Sequence, residues 1–194
     1  MTTTASAPKK KREGKYDTYF MFAGAAFLMW LGGHLDNTPA VAHHQLLVSS
    51  AQVTEAPLKD SVILVLQHRK AGSLGLVINK PAKEGDTFIG GPMEPEKVYA
   101  LHSTEVLTPD SLVMKDIDTA LVEGQPAIDK LIAAKPKWVR VIHGYTGWGK
   151  RQLNDELKAA TWQIVLYDED FVRNTPPADM WAKAQKMPMR QVTY

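Results

Sequence analysis

Three glycine-rich stretches stand in order along the chain and limit what it can fold into. They are Gly72-Ser73-Leu74-Gly75-Leu76-Val77-Ile78-Asn79-Lys80-Pro81, then Ile89-Gly90-Gly91-Pro92, then Gly144-Tyr145-Thr146-Gly147-Trp148-Gly149. Clustered glycines mark backbone that turns tightly or is approached closely. Each cluster here adjoins an apolar run, so the pattern predicts strands joined by tight connections.

A length of 194 residues suits one domain with a sizeable core and is short for two. Five Trp supply large anchors, and the absence of Cys excludes disulfides, thiolate catalysis and sulfur-ligated zinc. The net charge of +2 is uneven. Lys9, Lys10, Lys11, Arg12 and Lys15 against Glu13 and Asp17 give residues 1–35 a charge of +3, leaving −1 for the rest. A nucleic-acid binder needs a basic folded face, so no nucleic-acid partner is expected.

The unbroken apolar run Ser61–Gln67 predicts a strand covered on both faces. With Leu74–Asn79 it forms a predicted hairpin across Arg69–Gly72. Further strands are predicted at Gln45–Ser50, Lys97–His102, Ser111–Met114, Trp138–His143 and Trp162–Tyr167. Asp118–Val122, Ala127–Ala134, Arg151–Ala160 and Ala178–Lys186 read as helices. Strands grouped early with helices later imply an α+β domain on a mixed sheet.

Ahead of this domain, residues 1–15 read as a solvated basic tail. Residues 16–35 hold about the 20 mostly apolar residues that cross a bilayer as a helix. Tyr16, Tyr19 and Trp30 lie near the ends of that stretch, and Gly24, Ala25 and Ala26 offer a close-packing patch. A basic start and Ala40-Val41-Ala42 also fit a cleaved signal peptide, and a buried core helix is the third reading. The expectation taken forward is a retained single-pass transmembrane helix, residues 36–44 as linker, and the domain at 45–194. The basic cluster puts the N-terminus on the cytoplasmic, matrix or stromal side. The inner membrane of a mitochondrion or bacterium is expected, with the thylakoid as the alternative.

The glycine signatures carry a resemblance. Together with Leu46-Leu47-Val48, Ser61–Leu66, His68, Leu101-His102-Ser103 and Gln152-Leu153, they resemble the YqgE/AlgH family (UPF0301, DUF179) from about His44 to Met187. The resemblance implies a compact mixed sheet, partly barrel-like, with helices outside. Its motif positions are Gly72, Gly75, Asn79, Pro81, Gly90, Gly91, Pro92, His102, Gly144, Tyr145, Gly147, Trp148, Gly149 and Gln152, with a role in fold or interaction. The family's usual Asp-Pro-x-Phe stretch is replaced by Glu55-Ala56-Pro57-Leu58-Lys59-Asp60, and a frequent Pro by Lys150. No catalytic residue carries over.

The remaining chemistry-bearing patterns are weak. Gly144-x-x-x-x-Gly149-Lys150 imitates a phosphate-binding loop, yet Arg151 stands where a Mg²⁺-binding Ser/Thr belongs. Tyr145 and Trp148 read as packing residues ahead of a ligand-stacking pair. His43-His44 is a poor metal pair, and His68, His102 and His143 each follow a strand without visible partners. Asp168-Glu169-Asp170 reads as a solvated strand exit. No Gly-x-Ser-x-Gly elbow is present. No catalytic, cofactor or metal site is therefore expected. The leading expectation is a non-catalytic accessory subunit of a larger membrane complex, of respiratory-chain type, partnered by other subunits and the lipid bilayer. The alternative is a membrane-tethered regulatory or ligand-binding module, and a third reading is a hydrolase using strand-end histidines.

Overall fold

The computed structural model describes residues 43–69, 71–83 and 86–190. The strands are β1 (Leu46–Ser49), β2 (Val62–Arg69), β3 (Gly72–Val77), β4 (Thr87–Ile89), β5 (Met93–Ser103), β6 (Leu112–Met114), β7 (Thr119–Glu123), β8 (Val139–Trp148) and β9 (Trp162–Val165). The helices are α1 (Gln125–Ala133), α2 (Gln152–Lys158), α3 (Glu169–Asn174) and α4 (Pro177–Ala184). The fold is a mixed, sheet-rich α+β domain.

The strand order is β6-β7-β5-β8-β3-β2-β1-β9, with β4 paired in parallel to β8. The path is open at β6 and β9, but its two ends approach one another. Thr119 Oγ1 and Tyr167 Oη hydrogen-bond at 2.7 Å, and His44 pairs with Asp116. Side chains, rather than a backbone ladder, thus draw the sheet into a curled half-barrel.

Alternation along the strands sorts the core. One cross-strand row runs Ile164–Leu47–Ile63–Val77, and the neighbouring row runs Val165–Leu46–Leu64–Leu76. All eight side chains are buried, which is why β2 carries no polar alternation. Leu153 and Leu157 of α2, one helical turn apart, pack with the first row and with Trp148 and Trp162. α1 lays Ala127, Ile128 and Leu131 on Ala100 and Val122. Full burial of Ile128 or Leu131 contributes roughly 1.5–3 kcal/mol each. Trp181 Nε1 and Gln185 Nε2 both donate to Ser49 O, at 2.9 and 2.8 Å, and anchor α4 to β1.

Several expectations are corrected. Asp118–Val122 is not helical: Thr119–Glu123 pairs with β5 and β6 on either side, and two ladders outweigh modest helix propensity. Asp168, exposed just past β9 as a solvated strand exit should be, is also the N-cap of α3, accepting from Phe171 N at 2.8 Å. The single-pass membrane-anchored subunit is also corrected. Among the described residues no helix is long and apolar enough to cross a membrane. The longest, α1, has 9 residues, against the ~20 a bilayer requires. The stretch 16–35 on which that expectation rested, with Gly24, Ala25 and Trp30, lies outside the described residues.

Candidate functional site where two glycine signatures meet

Most of the motif residues are consumed by packing. A Cβ on Gly90 would lie 2.3 Å from Gly144 O, and one on Gly91 would lie 2.2 Å from Tyr145 O. Backbone therefore crosses backbone at the second signature, and Gly144 itself has φ 71°, which favours glycine. Gly90 N donates to His143 O at 2.7 Å. Tyr145 is buried, edge-on to Tyr99 with ring centroids 6.4 Å apart, and its hydroxyl donates to Glu94 Oε1 at 2.8 Å. Pro92 is exposed beyond this crossing. Asn79 is buried and structural: its Oδ1 accepts from Val62 N at 2.8 Å and its Nδ2 donates to Asp60 O at 3.0 Å. Pro81 bridges to Phe88.

At the third signature β8 runs unbroken through Gly144–Trp148. Its backbone is in strand pairing with β5 and β3, so no loop of free amides exists to wrap a phosphate. Gly149 N donates to Gln152 Oε1 at 2.9 Å. Glu156 Oε2 accepts from both Trp148 Nε1, at 2.9 Å, and Trp162 Nε1, at 2.6 Å. Gln152 Nε2 donates to Glu156 Oε1 at 2.8 Å. Tyr145, Trp148 and Gln152 are thereby tied inward.

The three strand-end histidines stand in separate settings. His102 is fully buried, with Nδ1 2.9 Å from Ser103 O and Nε2 3.3 Å from Ser111 Oγ. Burial pulls its pKa down. His143 pairs in the ladder with Val98 and Ile89. His43 stacks on His44 at a centroid distance of 3.7 Å. Among the described residues no group of three or more His, Asp or Glu could hold a metal ion.

Polar chemistry gathers instead at His68. The β2–β3 hairpin pairs Arg69 with Gly72 and His68 with Ser73, and β8 places Trp148 opposite Ser73. Gly72 and Gly75 pass close to Trp148 O and Ile63, and Gly147 lies against Met93. His68 Nδ1 is 2.6 Å from Ser73 Oγ. Burial lowers the His68 pKa, opposed by a hydrogen bond with the Asn154 side chain. A His68 ring that carries its proton on Nε2 leaves Nδ1 free to accept the Ser73 hydroxyl proton. Lys150 and Arg151 are exposed where β8 gives way to α2. Ser73 and Asn154 went unnoticed in the sequence. Hairpin register points to Ser73 once Arg69 and Gly72 are taken as the closing pair, because His68 and Ser73 come next. Nothing in the sequence points to Asn154.

The AlgH-like family DUF179 matches residues 46–191. The chain belongs to this family. A UPF0301 protein of Bordetella petrii is 29% identical over 165 residues, 74% of this chain and 81% of the relative. A UPF0301 protein of Myxococcus xanthus is 28% identical over 155 residues, 70% of this chain and 84% of the relative. The AlgH protein of Pseudomonas aeruginosa, solved in solution, superposes with a TM-score of 0.65 at 20% identity, covering 80% of this chain and 92% of AlgH. A Corynebacterium diphtheriae crystal structure gives 0.64 at 17%, covering 82% and 93%. At those identities the likeness is one of fold. These AlgH-like and UPF0301 relatives replace the respiratory, inner-membrane accessory subunit expected from the sequence, and that assignment is withdrawn together with its localisation.

Proposed function

We propose that this AlgH-like domain is a ligand-binding module of regulatory type that takes a small anionic molecule where the β2–β3 hairpin, the end of β8 and the start of α2 meet. The observation that carries this reading is the conformation of Arg151. It has φ 65°, a left-handed backbone that costs a non-glycine residue about 1–2 kcal/mol. Strain of this kind is a pointer to function. Here it holds an exposed guanidinium beside exposed Lys150, a cationic face at the start of the helix that carries Asn154. The second signature offers no such face, because its backbones are in contact. The charge of −1 over residues 36–194 makes this cationic turn a local feature and does not favour nucleic acid as the ligand.

The test is a thermal-shift and calorimetric titration with inorganic phosphate and short dicarboxylates, with uncharged amides as controls. An anion at ten times its Kd stabilises by about 1.4 kcal/mol, or roughly 3–6 °C in Tm for a domain of this size. The double variant K150E/R151E loses that shift. If no anion moves Tm at 10 mM (roughly ten times a 1 mM Kd), or if the double variant responds like the parent, the reading fails.

A further inference from the structure

We infer that Ser73, His68 and Asn154 form a hydrolytic relay for short-chain esters, with Ser73 as nucleophile, His68 as general base and Asn154 as the positioning residue. The relay rests on geometry. A hydroxyl 2.6 Å from an imidazole nitrogen is within the reach required of a nucleophile and its base. The Asn154 side chain hydrogen-bonds His68 as well, and an Asn can orient a catalytic His. Strand pairing fixes Ser73 and His68 against one another, so neither must be ordered at the moment of reaction. The absent Gly-x-Ser-x-Gly elbow does not bear on this, since Ser73 lies within Gly72-Ser73-Leu74-Gly75 on a strand.

The chemistry balances without a co-reactant. Ser73 Oγ bonds to the ester carbonyl carbon as its proton passes to His68 Nδ1. The bond from that carbon to the alkoxy oxygen breaks, and the departing alcohol takes the proton from His68. Water then attacks acyl-Ser73 with His68 again accepting a proton, which returns to Ser73 Oγ as the carboxylic acid leaves. Ser73 is only 6% exposed, so the acyl group is small, of acetyl size. Only the preference for an anionic leaving part, held by Lys150 and Arg151, rests on the ligand reading above.

The full chain is incubated with p-nitrophenyl acetate, a neutral ester, and the acetyl adduct is located by peptide mass spectrometry. The expected result is an adduct on Ser73, with a burst of p-nitrophenol that falls at least 100-fold in Ser73→Ala and His68→Gln, both checked for native circular dichroism. His68 must be neutral to act, so the rate falls on the acid side. Asn154→Ala, which removes a group that raises the His68 pKa, moves that limb to lower pH. Asn154→Asp moves it to higher pH, whereas a merely structural role would leave it in place. Adducts confined to lysines, or a Ser73→Ala variant that keeps the parent burst, would overturn the relay. Anion binding without a Ser73 adduct sinks the relay alone. An adduct in the parent and in K150E/R151E alike, with no preference for anionic esters, keeps the relay and sinks the ligand reading.

Discussion

Replacing Gly90 by alanine places a methyl carbon 2.3 Å from Gly144 O and 2.5 Å from Ile142 Cγ2. Ordinary contact begins near 3.4 Å, so β4 must withdraw from β8 by about 1 Å. Overpacking of this kind costs about 1–3 kcal/mol. Two backbone hydrogen bonds are strained with it: Gly90 N to His143 O at 2.7 Å and Val77 N to Gly90 O at 2.8 Å. At about 0.5–1.5 kcal/mol each, they bring the expected loss to about 4 kcal/mol, or roughly 8–16 °C in Tm. Gly149 is the control. Its added Cβ would meet nothing nearer than Gln152 Oε1 at 3.7 Å, so Gly149→Ala is expected to be neutral or to stabilise by about 0.4–1 kcal/mol through the unfolded chain. Urea denaturation of both variants at constant m-value reads the difference. If Gly90→Ala lies within about 1 kcal/mol of the parent, or Gly149→Ala loses as much as Gly90→Ala, then close approach is not why the second signature has glycine.

Glu156→Ala strips the acceptor from two indole N–H groups and is expected to cost about 2–5 kcal/mol, with a red shift in tryptophan emission; Glu156→Gln, which keeps one oxygen, should cost less. Arg140 donates to Ile78 O and Val172 O, each at 3.0 Å, and stacks over Phe88 at 4.7 Å. Arg140→Lys loses that planar fork, so hydrogen exchange should accelerate in α3 ahead of β1–β3. Burial lifts the Tyr167 hydroxyl to about 12, above the ordinary value of about 10. A folded pKa above the unfolded one stabilises fully below pH 10 and loses that contribution as pH rises through 12. Tyr167→Phe should flatten this alkaline decline in a pH-resolved urea titration, and an unchanged slope would refute it.

The hydrophobic rows made much of this fold readable. The unbroken Val62–Leu66 run announced a strand covered on both faces, and Leu153 with Leu157 announced the buried side of α2. What escaped depends on partners distant in sequence. Thr119–Glu123 has no strong period of its own and becomes a strand because β5 and β6 lie on either side. β8 was expected to stop at His143, yet it continues through Gly144 and Gly147, since Ser73–Gly75 supplies a new partner where β5 departs. The site was least legible. His68 and Ser73 are brought opposite one another by a register that also absorbs an irregularity between Val65 and Gln67, and Asn154 arrives from a helix more than 80 positions later.

β8 has a consequence for how the chain is made. It separates β5 from β3 in the finished sheet, and it is translated after both. Until residue 148 leaves the ribosome, the hairpin of β2 and β3 and the ribbon of β5 and β7 each carry an unpaired rim of amides and carbonyls. Such late, long-range closure slows folding and leaves nascent strands open to wrong neighbours. Synthesis of this protein should therefore lean on chaperones until its last third is available, and a ribosome stalled before Val139 should hold a protease-sensitive chain.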